Sequence, residues 1–206
     1  MAMSNYSGGF RDGVIIRGVP LSVTHPGKVF WVQRAAGVQL TGQKTGSDGN
    51  QGTFNDPFAT LDYAIGKCTA SRGDVIFIKP GHTETISNAT SLLLDVAGVA
   101  VIGLGTGSLR PTFTLDTATT ANIPISAANV TLYNLLFVAN FAAIASVFTV
   151  SGTALASDFT VSNCEFRDTT SILNFVTIIT DNATAQNLAG LTFEHNKIFG
   201  LGTSAA

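Results

Sequence analysis

Three similar segments recur at regular intervals in the second half of the chain. They read VTLYNLLF from Val130, FTVSNCEF from Phe159 and LTFEHNKIF from Leu191. Each begins apolar–Thr–apolar, passes an Asn and ends in Phe, and the third has one extra residue before its Asn. A weaker copy, VAVIGLG from Val99, has Gly103 at the Asn position. The starts are about thirty residues apart, a period typical of solenoids.

Short strand-like runs precede the three stronger copies and favour a β-solenoid over a helical one. They read NIPIS from Asn122, SVFTVS from Ser146 and NFVTIIT from Asn174. β-Branched and aromatic residues broken by Gly and Asn fit strands better than helices. The sequence therefore predicts an all-β fold, a short parallel β-helix. An ordinary β-sandwich with coincidental Asn and Phe spacing remains the alternative.

Stacked coils would align equivalent side chains of the repeat. The spacing predicts a structural ladder of hydrogen-bonded amides formed by Asn134, Asn163 and Asn196 at a turn. It also predicts an aromatic stack inside the coil, formed by Phe137, Phe166 and Phe199.

One helix is predicted, in the stretch GTFNDPFATLDYAIGKC from Gly52 to Cys68. Asp56 is a suitable N-cap and Pro57 suits the first helical position. The apolar residues that follow form one stripe, made of Phe58, Leu61, Ile65 and Cys68. We expect this helix to cap the open end of the solenoid, whose first strand is predicted at Asp74.

Residues 1–45 differ from the rest and predict an extended N-terminal β arm with a linker, and residues 46–206 form the predicted β-helix. The runs DGVIIRGVPLSV and KVFWV are strand-like and flank the turn THPG. Two short strands bury too little to be stable alone, so the arm must pair with something. The predicted partner-binding residues are Val14, Ile16, Val29, Phe30 and Trp31. A hairpin packed on its own solenoid is the alternative.

The composition indicates a surface that is partly covered by a partner or by further copies. Charged residues make up 12% of the 206, about half the usual share, and hydrophobic residues 45%. A net charge of −2 without a basic stripe excludes nucleic acid as the expected partner. The run from Val130 to Val150 is long enough for a bilayer, but Asn134, Asn140 and its repeat pattern argue against a membrane span.

Candidate catalytic residues do not form a constellation in the sequence. Glycoside hydrolysis needs two neighbouring carboxylates, but Glu165 and Glu194 align with non-acidic residues of the adjacent repeats. The acids construed as calcium ligands lack a suitable spacing; these are Asp158, Asp168 and Asp181. Cys68 and Cys164 show no metal-ligand spacing. We therefore expect no enzyme activity, metal or cofactor.

The run from Gly46 to Ile86 resembles right-handed parallel β-helix proteins of the pectate-lyase-like superfamily. The likeness rests on Gly–Thr, Pro–Phe and Thr–Leu around the helix, then Gly–Asp–aliphatic and Pro–Gly. It implies a right-handed coil. The superfamily includes lyases and hydrolases of acidic polysaccharides, but its Gly–His–Gly and Arg–X–Lys hydrolase motifs do not occur here.

The whole chain, including GVIIRGVPLSVTHPGKVFWV from Gly13, also resembles β-helix virion proteins encoded by tailed bacteriophages. This resemblance implies a non-enzymatic capsid decoration or cement protein on the virion surface, assembled in the host cytoplasm. Its expected partners are itself, as a homotrimer, and the major capsid protein. The alternative is a tailspike or fibre-type module that binds or cleaves carbohydrate.

Overall fold

The computed structural model describes residues 15–16, 19–20, 27–34, 42–152, 155–183 and 187–201. Its regular elements are, in chain order, β1 (Ile15–Ile16), β2 (Val19–Pro20), β3 (Val29–Val32), α1 (Leu61–Gly66), β4 (Val75–Ile78), β5 (Thr83–Ile86), β6 (Ala100–Gly103), a 3-10 turn (Gly107–Leu109), β7 (Thr112–Leu115), β8 (Ile123–Pro124), β9 (Thr131–Tyr133), β10 (Leu136–Ala139), β11 (Phe148–Gly152), β12 (Thr160–Ser162), β13 (Glu165–Asp168), β14 (Ile179–Ala183), β15 (Thr192–Glu194) and β16 (Lys197–Phe199).

The strands from β3 onward form three parallel sheets wound around one core, whereas β1 and β2 pair antiparallel. A six-stranded sheet has the order β15-β12-β9-β6-β4-β3, and a five-stranded sheet has the order β16-β13-β10-β7-β5. A three-stranded sheet has the order β14-β11-β8. The chain thus forms a β-solenoid of about four turns, which confirms the predicted fold class. The segment weighed as a membrane span forms β9, β10 and β11, and no helix among the described residues has the length and apolar character needed to cross a bilayer.

The sequence repeats stack directly on one another. Thr160 of β12 pairs with Thr131 of β9 on one side and with Thr192 of β15 on the other. The next residue along points into the core, where Leu132 and Val161 are almost fully buried. Because strand side chains alternate between faces, this register places the apolar positions of every coil inside.

An aromatic stack runs through the core, but its last member differs from the predicted one. Phe137 lies 5.8 Å from Phe113 and 5.2 Å from Phe166, measured between ring centroids. Phe166 in turn lies 5.7 Å from Phe193. The prediction for Phe199 was wrong: the extra residue in the third repeat pairs Ile198 with Phe166, so Phe199 falls on the other face and is 47% exposed.

The Asn positions of the repeat form a column of turns with left-handed backbone. Asn134 and Asn163 have φ of 57° and 54°. In the third repeat the extra residue puts His195 there instead, with φ of 54°. Asn suits this conformation better than most residues because its short polar side chain bonds locally. The expected column therefore exists, but its third member is His195 and not Asn196.

The side-chain amides of Asn134 and Asn196 bind backbone atoms of neighbouring coils rather than one another, which corrects the predicted amide ladder. Asn134 Nδ2 donates to the carbonyls of Gly103 (2.8 Å) and Gly105 (2.9 Å). Asn196 donates to Val161 O (2.9 Å) and accepts from Cys164 N (2.8 Å). Asn134 and Asn196 thus tie adjacent coils together.

We expect Asn134→Ala to destabilise the fold by about 2–3 kcal/mol, from two lost hydrogen bonds and a strained left-handed residue. Asn163→Ala carries the same backbone penalty of about 1–2 kcal/mol and serves as the matched control. Urea unfolding of both variants measures the difference. Equal losses at the two positions would show that the bonds to Gly103 and Gly105 contribute nothing.

Helix α1 covers the core at the N-terminal end, although it begins later than predicted. Its N-cap is Thr60, whose Oγ1 accepts from Tyr63 N, rather than Asp56. Phe58 instead forms a parallel β-bridge with Val32, in which its N–H donates to Trp31 O and its carbonyl accepts from Gln33 N, so it lies along the edge of β3 and outside the helix. Leu61 and Ile65 are buried as expected, so the helix caps the solenoid.

The strand Val29–Val32 belongs to the solenoid, which corrects its assignment to a separate arm. It pairs in parallel with β4, and Val32 is completely buried. The first rung is therefore β3 and not the strand that follows Asp74. Its alternating side chains match those of β4, so hydrogen bonding and core burial both hold it there. A docking role for the residues that precede β3 stays a prediction.

The opposite end of the solenoid has no comparable cover within the described residues. Strands β14, β15 and β16 are the last members of their sheets. Phe193 and Ile198 occupy inward positions there, yet they are 38% and 59% exposed. The two ends of the described solenoid thus differ: helix α1 covers one, and apolar side chains are exposed at the other.

Candidate functional site

The outer face of the six-stranded sheet carries a column of large apolar side chains. Trp31 pairs in register with Phe77, which pairs with Ile102, which pairs with Tyr133. These residues alternate along their strands with buried ones, so they face away from the core. The Trp31 and Phe77 rings lie 5.1 Å apart. A continuous aromatic and aliphatic ridge therefore crosses four rungs of the sheet.

A second column runs beside the first and is also uncharged. It consists of Val29, Val75, Ala100 and Thr131 in register. We call the two columns together the apolar sheet face. Among the described rungs, the first charged side chain appears only at Glu194 in β15. Val29 and Tyr133 are 47% and 43% exposed, so large apolar surface is available at both ends of this face.

Of the predicted partner-binding residues, two lie on the apolar sheet face. Val29 and Trp31 are its members, whereas Phe30 points the other way and packs on Phe58 at 5.8 Å between ring centroids. Ile16 lies in β1, and Val14 lies outside the described residues. The strand alternation thus divides VFWV into an outward pair and an inward pair.

A groove of about 730 Å³ opens at the Trp31 end of the apolar sheet face. Its walls are mostly apolar, with Trp31, Phe54, Leu104 and Leu109 prominent among them. Trp31 meets Phe54 edge-on, with ring centroids 4.9 Å apart. Arg34 and Lys79 also line it. We call this site the cationic groove.

Lys79 is a buried cation without an acidic partner in the described part of the chain. The residue is 5% exposed, and its Nζ donates to Phe54 O (2.5 Å) and lies 4.3 Å from the Phe54 ring centroid. Desolvation lowers its pKa below the usual value for lysine. Lys79 was not among the site residues predicted from the sequence, although it follows the strand VIFI at the position where alternation turns a side chain outward.

The acids examined as catalytic candidates do not pair across the coils. Glu165 lies between Leu136 and Lys197 in its sheet and binds Arg110 at 3.1 Å and also Arg167. Glu194 lies opposite Ser162. Acid–acid neighbours are therefore missing at both places, whereas glycoside hydrolysis needs two carboxylates at close range.

Two further carboxylates, those of Asp168 and Glu84, accept hydrogen bonds from the backbone and so have structural roles. Asp168 is buried and accepts from the backbone N–H groups of Phe175 and Leu201, both at 3.0 Å. Glu84 points inward and accepts from Leu61 N (3.0 Å) at the start of α1. Burial raises the pKa of nearby Asp62, and further acids, including Asp95, add to this effect. Among the described residues there is no group of three side chains able to hold a metal ion.

The described histidines and the two cysteines have structural surroundings. His82 is fully buried and lies 3.2 Å from the Glu84 carboxylate, which in turn accepts from the first turn of α1. His195 forms part of the turn column, and His25 lies outside the described residues. Burial raises the thiol pKa of Cys68 to about 12 and that of Cys164 to about 11. Since the thiolate is the nucleophile, neither thiol is activated.

Comparisons with known proteins agree with the fold. No family model matches the sequence, and no curated protein matches it significantly. A solved rhamnogalacturonan lyase shares the architecture with a TM-score of 0.52 and 17% identity, over 84% of this chain and 51% of that one. The chain thus spans about half the length of that lyase. This likeness shows a parallel β-helix fold.

Proposed function

We propose that this chain is a non-enzymatic structural protein of a bacteriophage virion, a decoration protein of the capsid surface. The observation that carries the proposal is the apolar sheet face, which presents Trp31, Phe77, Ile102 and Tyr133 without an intervening charge. A flat apolar patch of this kind marks a protein–protein contact. In this proposal three copies associate through the face, and the trimer binds the major capsid protein.

The proposed mechanism is adhesive. A protein that binds the assembled shell but not its dissociated subunits stabilises the shell by mass action. Trp31 and Tyr133 belong to the residue types that dominate binding energy at interfaces. The low charge of the chain, 12% of residues, fits a surface that is covered in the assembly. The scattered placement of Glu165 and Glu194 agrees with a role without turnover.

A carbohydrate-binding or polysaccharide-cleaving module is the second candidate. The observation that favours it is the cationic groove, where Trp31 and Phe54 adjoin Lys79 and Arg34. Aromatic rings beside cations are suited to acidic sugars. The fold shared with the rhamnogalacturonan lyase is compatible with this candidate and does not distinguish it from the first.

The proposal predicts that Tyr133→Asp converts a trimer into a monomer without unfolding it. The aspartate would be buried unpaired at the contact, which costs several kcal/mol per copy and favours dissociation. Sedimentation velocity should report three times the 21.4 kDa chain mass for the parent protein and the chain mass for the variant. Leu155→Asp, a charge at a residue 64% exposed outside the face, is the matched control and should remain trimeric.

Attachment is measured on capsids of the parent phage that lack this protein. The parent chain and Leu155→Asp should decorate them, and Tyr133→Asp should not. Monomeric parent protein that fails to bind capsids would contradict the proposal. Release of unsaturated or reducing-end products from polyuronates or bacterial surface polysaccharides would favour the second candidate.

A further inference from the structure

The cationic groove carries positive charge that the described residues do not neutralise. Lys79 has no carboxylate partner among the residues that the structure describes, and Arg34 donates to the hydroxyl of Thr83 at 2.7 Å. A buried cation is stabilised by an opposite charge nearby. The groove therefore favours an anionic ligand.

The part of the ligand outside its anionic group must be apolar, because most of the groove wall is apolar. Trp31, Phe54, Leu104 and Leu109 form the wall together with Pro80. Leu109 is 55% exposed at the rim and lacks the packing expected of a leucine. A leucine-sized or aromatic side chain would bury this surface and gain transfer free energy in proportion to the area covered.

A sugar fits this lining less well than a peptide does. A saccharide presents many hydroxyls, and each one buried without a partner is unfavourable. Stacking also needs a free aromatic face, whereas the Trp31 ring packs against Phe77 at 34° and meets Phe54 at 82°. A peptide combines one carboxylate with large apolar side chains, which matches two cations set in an apolar wall.

We propose that the cationic groove binds an acidic peptide segment of a partner protein, in which Asp or Glu adjoins a leucine or an aromatic residue. The carboxylate contacts Lys79 and Arg34, and the apolar side chain packs on Trp31 and Leu109. This inference rests on the proposed function, since it assigns to the shell partner the chemistry that the groove recognises. The remaining large side chains of the apolar sheet face, Phe77, Ile102 and Tyr133, then join copies, while the groove, with Trp31 in its wall, joins the trimer to the shell.

Trp31 is the sole tryptophan of the chain, so its fluorescence reports on the groove directly. The probes are the peptides acetyl-GELFEG-amide and acetyl-GQLFQG-amide, titrated into the full chain. We expect a saturable emission change with the acidic peptide and binding about tenfold weaker with its glutamine counterpart, since charge-assisted bonds are about twice as strong as neutral ones. Added salt should weaken the binding of the acidic peptide and leave that of the glutamine peptide unchanged.

Two variants test the assignment of residues. Lys79→Met should weaken binding of the acidic peptide about tenfold. Lys67→Met is the control: it removes a cation that lies over Tyr63 on helix α1 and should leave peptide binding unchanged. If Lys79→Met does not fold, Leu109→Glu at the exposed rim should abolish binding instead by placing like charge there.

Equal binding of the two peptides, unchanged binding by both groove variants, or no saturable emission change would each overturn the inference. A galacturonate trimer that binds in a Lys79-dependent manner while the peptide does not would assign the groove to sugars. None of these outcomes depends on the trimer assay, so the groove can fail while the apolar sheet face still joins copies and decorates capsids.

Discussion

Replacing Phe137 with Ala should lower the free energy of unfolding by about 3–5 kcal/mol, the range for deleting a buried phenylalanine. Phe137 is 1% exposed and lies in the middle of the aromatic stack, in contact with Phe113, Phe148 and Phe166. The cavity would lie between rigidly paired coils that cannot collapse to fill it, so the upper half of the range is expected. Thermal and urea unfolding, followed by circular dichroism, measure the loss.

Phe199→Ala is the matched control, because the sequence repeat assigns Phe199 the position of Phe137 and the structure does not. Phe199 is 47% exposed, and its replacement should change stability by less than about 1 kcal/mol. Comparable losses at the two positions would mean that the third repeat is in register with the others and that the strand pairing of β16 described above is incorrect.

Asp74→Asn should destabilise the fold by about 3 kcal/mol, because it removes charge-assisted hydrogen bonds from a buried carboxylate. Asp74 is completely buried beneath β4, and its carboxylate accepts from Arg72 Nε (2.7 Å) and Nη2 (2.6 Å). It also accepts from the backbone N–H groups of Lys28 (2.6 Å) and Thr69 (2.7 Å). Asparagine would direct an NH₂ group at these donors and leave Arg72 without its counter-charge.

The Asp74 carboxylate also predicts how stability depends on pH. Desolvation raises its pKa, but the bonds from Arg72, Thr69 and Lys28 outweigh this effect and hold the pKa at about 2. A folded-state pKa below the unfolded value means that the stabilisation is complete above about pH 4 and is lost as the pH falls toward 2. The difference in free energy of unfolding between the parent protein and Asp74→Asn should therefore decrease as the pH falls from about 4 to 2.

Urea unfolding at several pH values tests this expectation. Glu194→Gln is the control, since Glu194 is exposed and lies 3.9 Å from the His195 ring in a solvated pair. Its replacement should have little effect at any pH. If the difference in free energy of unfolding between the parent protein and Asp74→Asn stays constant down to pH 2, the charge of the carboxylate contributes nothing to stability.

The sequence predicted the architecture because a solenoid repeats its interactions locally. Every coil must present apolar residues inward at the same positions, so the thirty-residue period is legible in the strings that begin at Val130 and Phe159. The capping helix was predicted from its apolar stripe, and its stripe residues Leu61 and Ile65 are buried. Its first residue was not predicted, because a long-range β-bridge to Val32 holds Phe58 along the edge of β3.

The candidate site was predicted only in part. Strand alternation applied to VFWV could separate Val29 and Trp31 from Phe30, but pairing VFWV with VIFI required knowledge of which strands are neighbours. The groove was not predicted at all. Phe54 and Leu109 are 55 positions apart in the sequence, and Lys79 lies between them, so no local pattern connects the three.

By itself, the sequence determined a parallel β-solenoid with a helical cap, since periodic apolar positions and turn residues act within one coil and between adjacent coils. Tertiary structure alone decided which residues share a face. A single extra residue in the third repeat moved His195 into the turn column and Phe199 out of the core, because strand side chains alternate and a one-residue shift reverses them. Tertiary structure also decided that Trp31 borders a groove, because only the winding of the chain brings Phe54, Lys79 and Leu109 around Trp31.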